Sequence, residues 1–325
     1  MAKATVPYRA LVTGGAGFIG STLVDRLLAE GHTVDAVDNL SSGTLTNLTG
    51  ARREGAGRFS FHQMDIRSAD LVDLMVRRKP EVVFHLAAQI DVRVSVADPV
   101  ADAEVNVIGS LRVLEGARAA GSHKVVFASS GGTIYGDPEQ LPVKESHPQH
   151  PLSPYGVAKK AVGDYLHAYR QLHGLEYTAL ALSNVYGPRQ DAHGEAGVVA
   201  IFAGRLLGGE PCVIYGDGKQ TRDFVYVDDV VDAFSRAGER GSGLLCNIGT
   251  GTETSVNELY MTMAKSAGVQ QPPLYAPGRP GELQRSSLDP SRAAIHLGWK
   301  PWTSLQKGAD SVIEWSRRQR SAAQA

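Results

Sequence analysis

ALVTGGAGFIGSTLVDRLLAEGHTVDAVDN, residues 10–39, is the stretch whose reading decides the fold. A short apolar run, Ala10–Thr13, leads into a glycine-rich turn. An amphipathic segment with Phe18, Ile19, Leu23 and Leu27 turned inward follows, and a second apolar run, Thr33–Asp38, ends in a carboxylate. Gly14, Gly17 and Gly20 lie three apart, and Gly15, Gly17 and Gly20 also satisfy the common dinucleotide spacing. Between a strand and a helix, the missing side chains let the backbone approach a pyrophosphate held at the helix N-terminus. Asp38 lies eighteen residues beyond Gly20. There a carboxylate accepts both hydroxyls of an adenosine ribose and repels a 2′-phosphate, so the pattern predicts NAD rather than NADP. A glycine triplet alone marks many ordinary turns; strand, helix and acid in register carry the reading.

The rhythm continues. Apolar runs recur at Phe59–Met64, Val82–Leu86, Lys124–Ser129 and Tyr177–Leu182, separated by helical patterns such as Ile19–Glu30, Leu71–Arg78, Val105–Ala120 and Pro154–Leu172. Strands that alternate with helices predict an α/β fold, a doubly wound parallel sheet of the Rossmann type covered on both faces. Beyond about residue 183 the pattern becomes irregular and rich in Gly and Pro. We expect an NAD-binding domain over 1–183, with a later segment near 223–248 returning to it. A smaller α/β substrate lobe is expected over 184–222 and 249–325, closed by a helix from Leu305 to Arg318, with a frayed tail from Arg317.

Composition narrows the function. The 325 residues are 42% hydrophobic and 21% charged with a formal net charge of −1, so no basic field invites nucleic acid or a membrane surface. Cys212 and Cys246 sit in apolar runs and read as small buried hydrophobes in a reducing compartment. No apolar stretch approaches the roughly 18 residues of a membrane span, and the N-terminus lacks a signal-peptide core, so a cytoplasmic protein is expected. His147 and His150 are flanked by Pro148 and Pro151, which spoil a helical metal pair; no metal is expected.

The remaining strand ends supply candidate site residues, because ligands bind at the carboxyl ends of parallel strands. Asp65–Ile66 closes the third strand, either flanking an adenine or capping the helix after Ser68. Leu86, Ala87, Ala88 and Gln89 close the fourth with small residues beside a ribose. In SPYGVAKKA, Ser153 is a good N-cap and Pro154 suits the first helical position, which puts Tyr155 in the first turn and Lys159 four residues on. Residues at i and i+4 lie about 40° apart around the axis, so phenol and ammonium share a face. Only about one tyrosine in a thousand is phenolate at pH 7. A fixed Lys159 cation and the positive ring of oxidised NAD are expected to favour the phenolate, making Tyr155 a base. The fifth strand ends in VVFASSGGTIYG, where Ser129, Ser130 or Thr133 would complete a Ser/Thr–Tyr–Lys set and touch the substrate oxygen.

Taken in order, TGGAGFIG, VDNLSSG, HLAAQ, NVIGS, SSGGTIYG, SPYGVAK, NVYGPRQ, GDGKQTRDFVYVDD and NIGTG cover nearly the whole chain. They resemble the extended short-chain dehydrogenase/reductase family, and within it the bacterial UDP-glucose 4-epimerases. The resemblance implies that Phe18, Ile19, Asp38, Asn39, Ser42, Gly43, Asp65, Ile66, the Leu86–Gln89 segment and Asn106 line NAD, with Tyr155 the base and Lys159 orienting the ribose. It implies substrate contacts at Asn184, Tyr215, Arg222 and Arg279, the two arginines on the diphosphate of a UDP-sugar. It also implies a homodimer through Val105–Ala120 and Pro154–Leu172.

The implied reaction is oxidation at C4 of a UDP-hexose to a 4-keto sugar, rotation of the hexose, and hydride return to the other face. The sequence departs from the family by an extra residue at Gly131–Gly132, which leaves Ser130 and Thr133 as alternatives. Ser286 stands where some members carry a bulky Tyr, leaving room for an N-acetyl group at C2. Ile90 replaces a Lys found in some members. The main rival is a UDP-glucuronate 4-epimerase, with hydroxyls or an Arg such as Arg189 holding the C6 carboxylate. A 4,6-dehydratase or decarboxylase would place a carboxylate where Gly131–Gly132–Thr133 stands, and a non-catalytic NAD or nucleotide-sugar sensor would not need Tyr155 and Lys159.

Overall fold

Six strands form before residue 183: β1 (Arg9–Thr13), β2 (Thr33–Asp38), β3 (Phe59–Gln63), β4 (Val82–His85), β5 (Lys124–Ser130) and β6 (Glu176–Leu182). The computed structural model describes residues 6–191, 197–278 and 283–324. A late strand, β11 (Leu244–Ile248), adds to the edge of β6, giving a seven-stranded sheet of order β11-β6-β5-β4-β1-β2-β3. Every pairing in it is parallel. The order reverses between β1 and β4, which opens a crevice beyond their carboxyl ends.

Alternation of side chains sorts the strand residues onto two faces. Ala10, Val12, Val34, Ala36 and Phe84 pack with Leu23, Val24 and Leu27 of α1 (Phe18–Ala29) and Val230 and Phe234 of α6 (Val227–Glu239). Leu11, Val37, Val83, Val125 and Phe127 face the other way. They meet Leu71, Leu74 and Met75 of α2 (Asp70–Arg78), Val113 and Leu114 of α3 (Gly109–Ala120), and Val162 and Leu166 of α4 (Pro154–His173). The sheet is thus the doubly wound Rossmann arrangement. Truncating any one of the fully buried leucines costs about 2–5 kcal/mol.

The second half is more regular than its Gly and Pro content suggests. Three helices not anticipated from the sequence, α5 (Val198–Gly208), α6 and α7 (Val256–Ala267), stand there, and α7 opens with a capping box between Ser255 and Glu258. The terminal helix α8 runs Leu305–Gln324, past the expected end at Arg318. Good helix formers continue through that stretch, and Arg317 donates to the Ala267 carbonyl at 2.9 Å. The pattern expected as one helix over Val105–Ala120 begins instead as a π turn, Glu104–Ile108.

Three small strand pairs complete the second half: β7 (Asn184–Tyr186) with β10 (Phe224–Tyr226), β8 (Val213–Tyr215) with β13 (Leu274–Ala276), and β9 (Thr221–Arg222) with β12 (Thr254–Ser255). Phe202, Leu259, Met263 and Ile313 belong to the same core cluster as the α1 face of the sheet, so the lobe shares its core with the sheet. Asp223, fully buried, ties three distant segments together. It accepts the Thr250 N–H at 2.8 Å, the Thr250 hydroxyl at 2.6 Å, and the Gly251 and Leu288 N–H groups at 3.1 Å. Burial still holds its pKa above the ordinary carboxylate value, against these donors.

Candidate active site

The glycine turn closes on itself. Gly14 has φ +69°, and its carbonyl accepts the Gly17 N–H at 3.1 Å. A Cβ on Gly14 would stand 2.8 Å from the Ala87 nitrogen, and one on Gly20 would stand 2.0 Å from the Gly14 oxygen. Only hydrogen fits at either place. Gly17 caps α1 without a side-chain hydrogen bond, and no acidic residue sits in the first turn. The amides at this end therefore face the crevice as an anion site.

Asp38, at the end of β2, is buried. Its Oδ2 accepts the Ala16 N–H at 2.9 Å and its Oδ1 the Leu40 N–H at 2.8 Å. One lone pair on each oxygen remains to take a ribose hydroxyl. Gly43 passes close by, where a Cβ would lie 3.0 Å from Asp38 Oδ2, while Ser42 is exposed. Asn39 donates to Asp65 Oδ2 at 2.9 Å. Arg67 clasps the Asp65 carboxylate at 2.9 and 2.8 Å and holds its pKa well below the usual range. Asp65 does not cap α2, because the Asp70 N–H goes to the Ser68 hydroxyl at 3.2 Å. Ile66 is buried against Gly109; Phe18 and Ile19 are half-buried at the start of α1.

At the end of β4 the backbone N–H groups of Leu86 and Ala87 both donate to Thr13 Oγ1 at 3.2 Å. Thr13 is 2.7 Å from His85 Nδ1, and His85 Nε2 is 2.8 Å from Ser110 Oγ, which donates to the Asn106 carbonyl at 2.6 Å. These directions make Nε2 the protonated nitrogen. Burial, with Lys159 nearby, pulls the His85 pKa down to about 3, so the ring is neutral. Ala88 is half-buried. Gln89 and Asn106 interlock: Gln89 N–H donates to Asn106 Oδ1 and Asn106 Nδ2 to the Gln89 carbonyl, both at 2.9 Å.

The Ser–Tyr–Lys set comes together at the end of β5. Ser153 caps α4 by accepting the Gly156 N–H at 3.2 Å, and Pro154 stands in the first turn. Lys159 is buried, donates to the Ala128 carbonyl at 2.9 Å, and lies 5.6 Å from the centroid of the Tyr155 ring. Tyr155 is partly exposed but closely surrounded, with Ser130 lowering its pKa, whereas the Thr133 hydroxyl turns back to the Ser130 carbonyl at 3.4 Å. Of the two candidate hydroxyls, Ser130 is the one that acts on the titration of the phenol.

In the chain without ligands, burial favours the neutral form of both Tyr155 and Lys159. Burial pushes the Tyr155 pKa up, and Ser130 opposes this without overcoming it. Burial also pulls Lys159 down to about 8. Lys159 alone does not make Tyr155 a phenolate.

The lobe carries the other candidates. Asn184 opens β7 and is exposed; its N–H donates to the Asp223 carbonyl at 2.9 Å. Tyr215 ends β8 and is exposed, and Arg222 in β9 donates to the Thr221 carbonyl at 2.8 Å. Ser286 is buried in the segment that passes the end of β5, where Leu288 leaves no room for a Cβ on Gly131. Arg189 points onto α1 instead, 2.6 Å from Asp25 and 3.2 Å from Ser21 Oγ. Arg279 lies outside the described residues. Among those described, no cluster of His, Cys, Asp or Glu could hold a metal ion. No helix among them is long and apolar enough to cross a membrane.

Residues 10–249 match the model of the NAD dependent epimerase/dehydratase family. The chain belongs to that family. Its glycine turn, its Asp38 and the crevice between β1 and β4 fit the family's NAD. Among family members, a UDP-glucose 4-epimerase of Mycolicibacterium smegmatis is 53% identical over 310 residues, covering 95% of this chain and 98% of the relative. The crystal structure of a UDP-glucose 4-epimerase of Thermotoga maritima with UDP-glucose superposes with a TM-score of 0.90 at 45% identity, covering 96% of this chain and 99% of that one. The Thermus thermophilus UDP-glucose 4-epimerase in complex with NAD gives 0.87 at 43% identity, covering 95% and 99%.

Asp102, His85, Thr13 and Ser110 escaped the sequence reading. The four-residue spacing of Asp102 and Asn106 was the available sign for the first.

Proposed function

We propose that this family member inverts C4 of a UDP-hexose with NAD, the UDP-glucose/UDP-galactose pair foremost and the N-acetylated pair alongside. The observation that carries the reading is the juxtaposition of Tyr155 and Lys159 beside the end of β5, the buried ammonium lying 5.6 Å from the centroid of the phenol ring. NAD held at the glycine turn and Asp38 would supply the acceptor, then the donor, of the C4 hydride, and a positive charge beside the phenol. Tyr155 takes the C4 hydroxyl proton and later returns it. Ser130 holds the reacting oxygen, and Lys159 is kept in place by the Ala128 carbonyl. Arg222 and Arg279 hold the diphosphate, so that the hexose can turn while the nucleotide stays anchored. Buried, small Ser286 leaves space at C2.

The pairing of Arg189 with Asp25 counts against a C6 carboxylate as its natural partner, because that ion pair would have to break. Val157 (53% exposed) and Leu172 (74%) on α4, with Ile108 (48%) in the π turn, support a homodimer through these helices. The free buried thiols of Cys212 and Cys246 fit a cytoplasmic setting.

The test offers UDP-glucose, UDP-N-acetylglucosamine and UDP-glucuronate separately and identifies products by NMR. C4-inverted product from either of the first two is expected. Product from UDP-glucuronate alone, or from none, overturns the reading.

A further inference from the structure

One buried carboxylate near the site has no part in the chemistry above. Asp102 is 1% exposed, on the short helix Pro99–Ala103 that runs into the π turn carrying Asn106. Its Oδ1 accepts two amides, Gln89 Nε2 at 2.9 Å and Asn106 Nδ2 at 2.9 Å. Those side chains are the ones that interlock through Asn106 Oδ1 and the two Gln89 backbone groups. A carboxamide has one donor end and one acceptor end, so an acceptor at Asp102 settles which way both point. The same short helix and π turn pack on α4, the helix of Tyr155 and Lys159.

We propose that Asp102 is a positioning residue that orients the Gln89 and Asn106 carboxamides at the cofactor side of the crevice and serves as the counter-charge of Lys159. The proposal rests on the epimerase reading for its turnover assay and not for its binding assay. The ionisable groups that act on Lys159 here are Asp102, Tyr155 on its own helix and His85 at the end of β4. His85 stays neutral throughout the working range. Asp102 raises the pKa of Lys159 against burial and also raises that of Tyr155. Lys159 in turn lowers that of Asp102, while burial raises it. An uncharged residue at 102 therefore lowers both pKa values. The acidic limb of the rate profile, set by loss of the Tyr155 proton, and the basic limb, set by loss of the Lys159 charge, both move to lower pH. Disruption of packing alone would lower the profile without sliding it.

Two variants read this, Asp102→Asn and Asp102→Glu. For Asp102→Asn the profile of kcat is expected to slide acidic by about one pH unit, about tenfold in the proton concentration at each limb. Asp102→Glu keeps both limbs at wild-type pH with a lower maximum. NAD affinity, followed by protein fluorescence against pH, shows its alkaline weakening about one unit earlier in Asp102→Asn. This second assay holds even if no UDP-hexose turns over, so failure of the epimerase reading is distinguishable from failure of this one. Limbs that stay in place in Asp102→Asn, or move in Asp102→Glu, overturn the proposal. Should the Asn variant not fold, Asp102→Ser, equally uncharged, takes its place by the same criterion.

Discussion

Replacing Gly20 by alanine sets two physical effects against each other. Gly20 is the third residue of α1, and alanine is better than glycine inside a helix by about 1 kcal/mol. Propensity alone predicts a stabler protein. The new methyl carbon, however, would lie 2.0 Å from the Gly14 carbonyl oxygen and 2.8 Å from its carbon, both backbone atoms. Normal contact requires about 3.5 Å, so helix and turn must part by more than an ångström. Overpacking of this kind costs about 1–3 kcal/mol, and more where backbone cannot move. The Gly14 carbonyl also accepts the Gly17 N–H, so the displacement opens the turn itself. A net loss of about 1–2 kcal/mol in urea unfolding followed by circular dichroism is expected, and NAD affinity by calorimetry should fall at least about tenfold. Gly208, the last residue of α5, is a control: a Cβ there meets only side-chain atoms at 3.5 Å or more, and alanine should stabilise by up to about 1 kcal/mol. A Gly20→Ala protein as stable as the wild type, with undiminished NAD affinity, would refute the close approach of α1 to the turn.

Tyr155→Phe should leave NAD and UDP-sugar binding intact while turnover falls by about 10²–10⁴ or more, because it removes the group that carries the proton; near-wild-type turnover would show that another base acts. Ser286→Tyr fills a buried position, so the ratio of activity on UDP-N-acetylglucosamine to that on UDP-glucose should drop at least tenfold, on the order of 1.4 kcal/mol. An unchanged ratio removes Ser286 from the C2 pocket. Asp223→Ala strips the acceptor from three N–H groups and a hydroxyl, and should cost about 3–5 kcal/mol in denaturant unfolding; a loss below about 1 kcal/mol would mean water replaces it.

The sheet was legible because its strands are buried on both faces. Val82–Phe84 and Val125–Ala128 read as unbroken apolar runs, as expected of strands buried in a parallel sheet. The lobe was harder to read for an opposite reason. In α5, VVAIFAGRLLG is apolar nearly all round because α7 and α8 both pack against it, so no helical stripe stands out. Its small strands, two or three residues long, are held by tertiary contacts such as those of Asp223 rather than by their own pattern.

The site divides along a similar line. Gly20, Asp38, Tyr155 and Lys159 are separated by spacings that backbone geometry sets, a tight turn, one βαβ unit and one helical turn, so their relation can be computed from sequence. Asp102 and His85 act through contacts that no local spacing encodes. His85 bridges Thr13, 72 residues away, to Ser110. Asp102 reaches Asn106 within its own segment but also Gln89, thirteen residues back across a loop. The energetic outcome is hidden for the same reason. The i, i+4 spacing places Lys159 beside Tyr155, where it and the positive ring of oxidised NAD together are expected to favour the phenolate. In the folded chain its ammonium goes to the Ala128 carbonyl, and burial, which spacing does not report, dominates both residues. The resting chain thus holds a neutral phenol beside a weakly held cation. The negative charge of Asp102 favours that cation, and it opposes the phenolate, so ionisation of Tyr155 depends on positive charge brought in with the ligands.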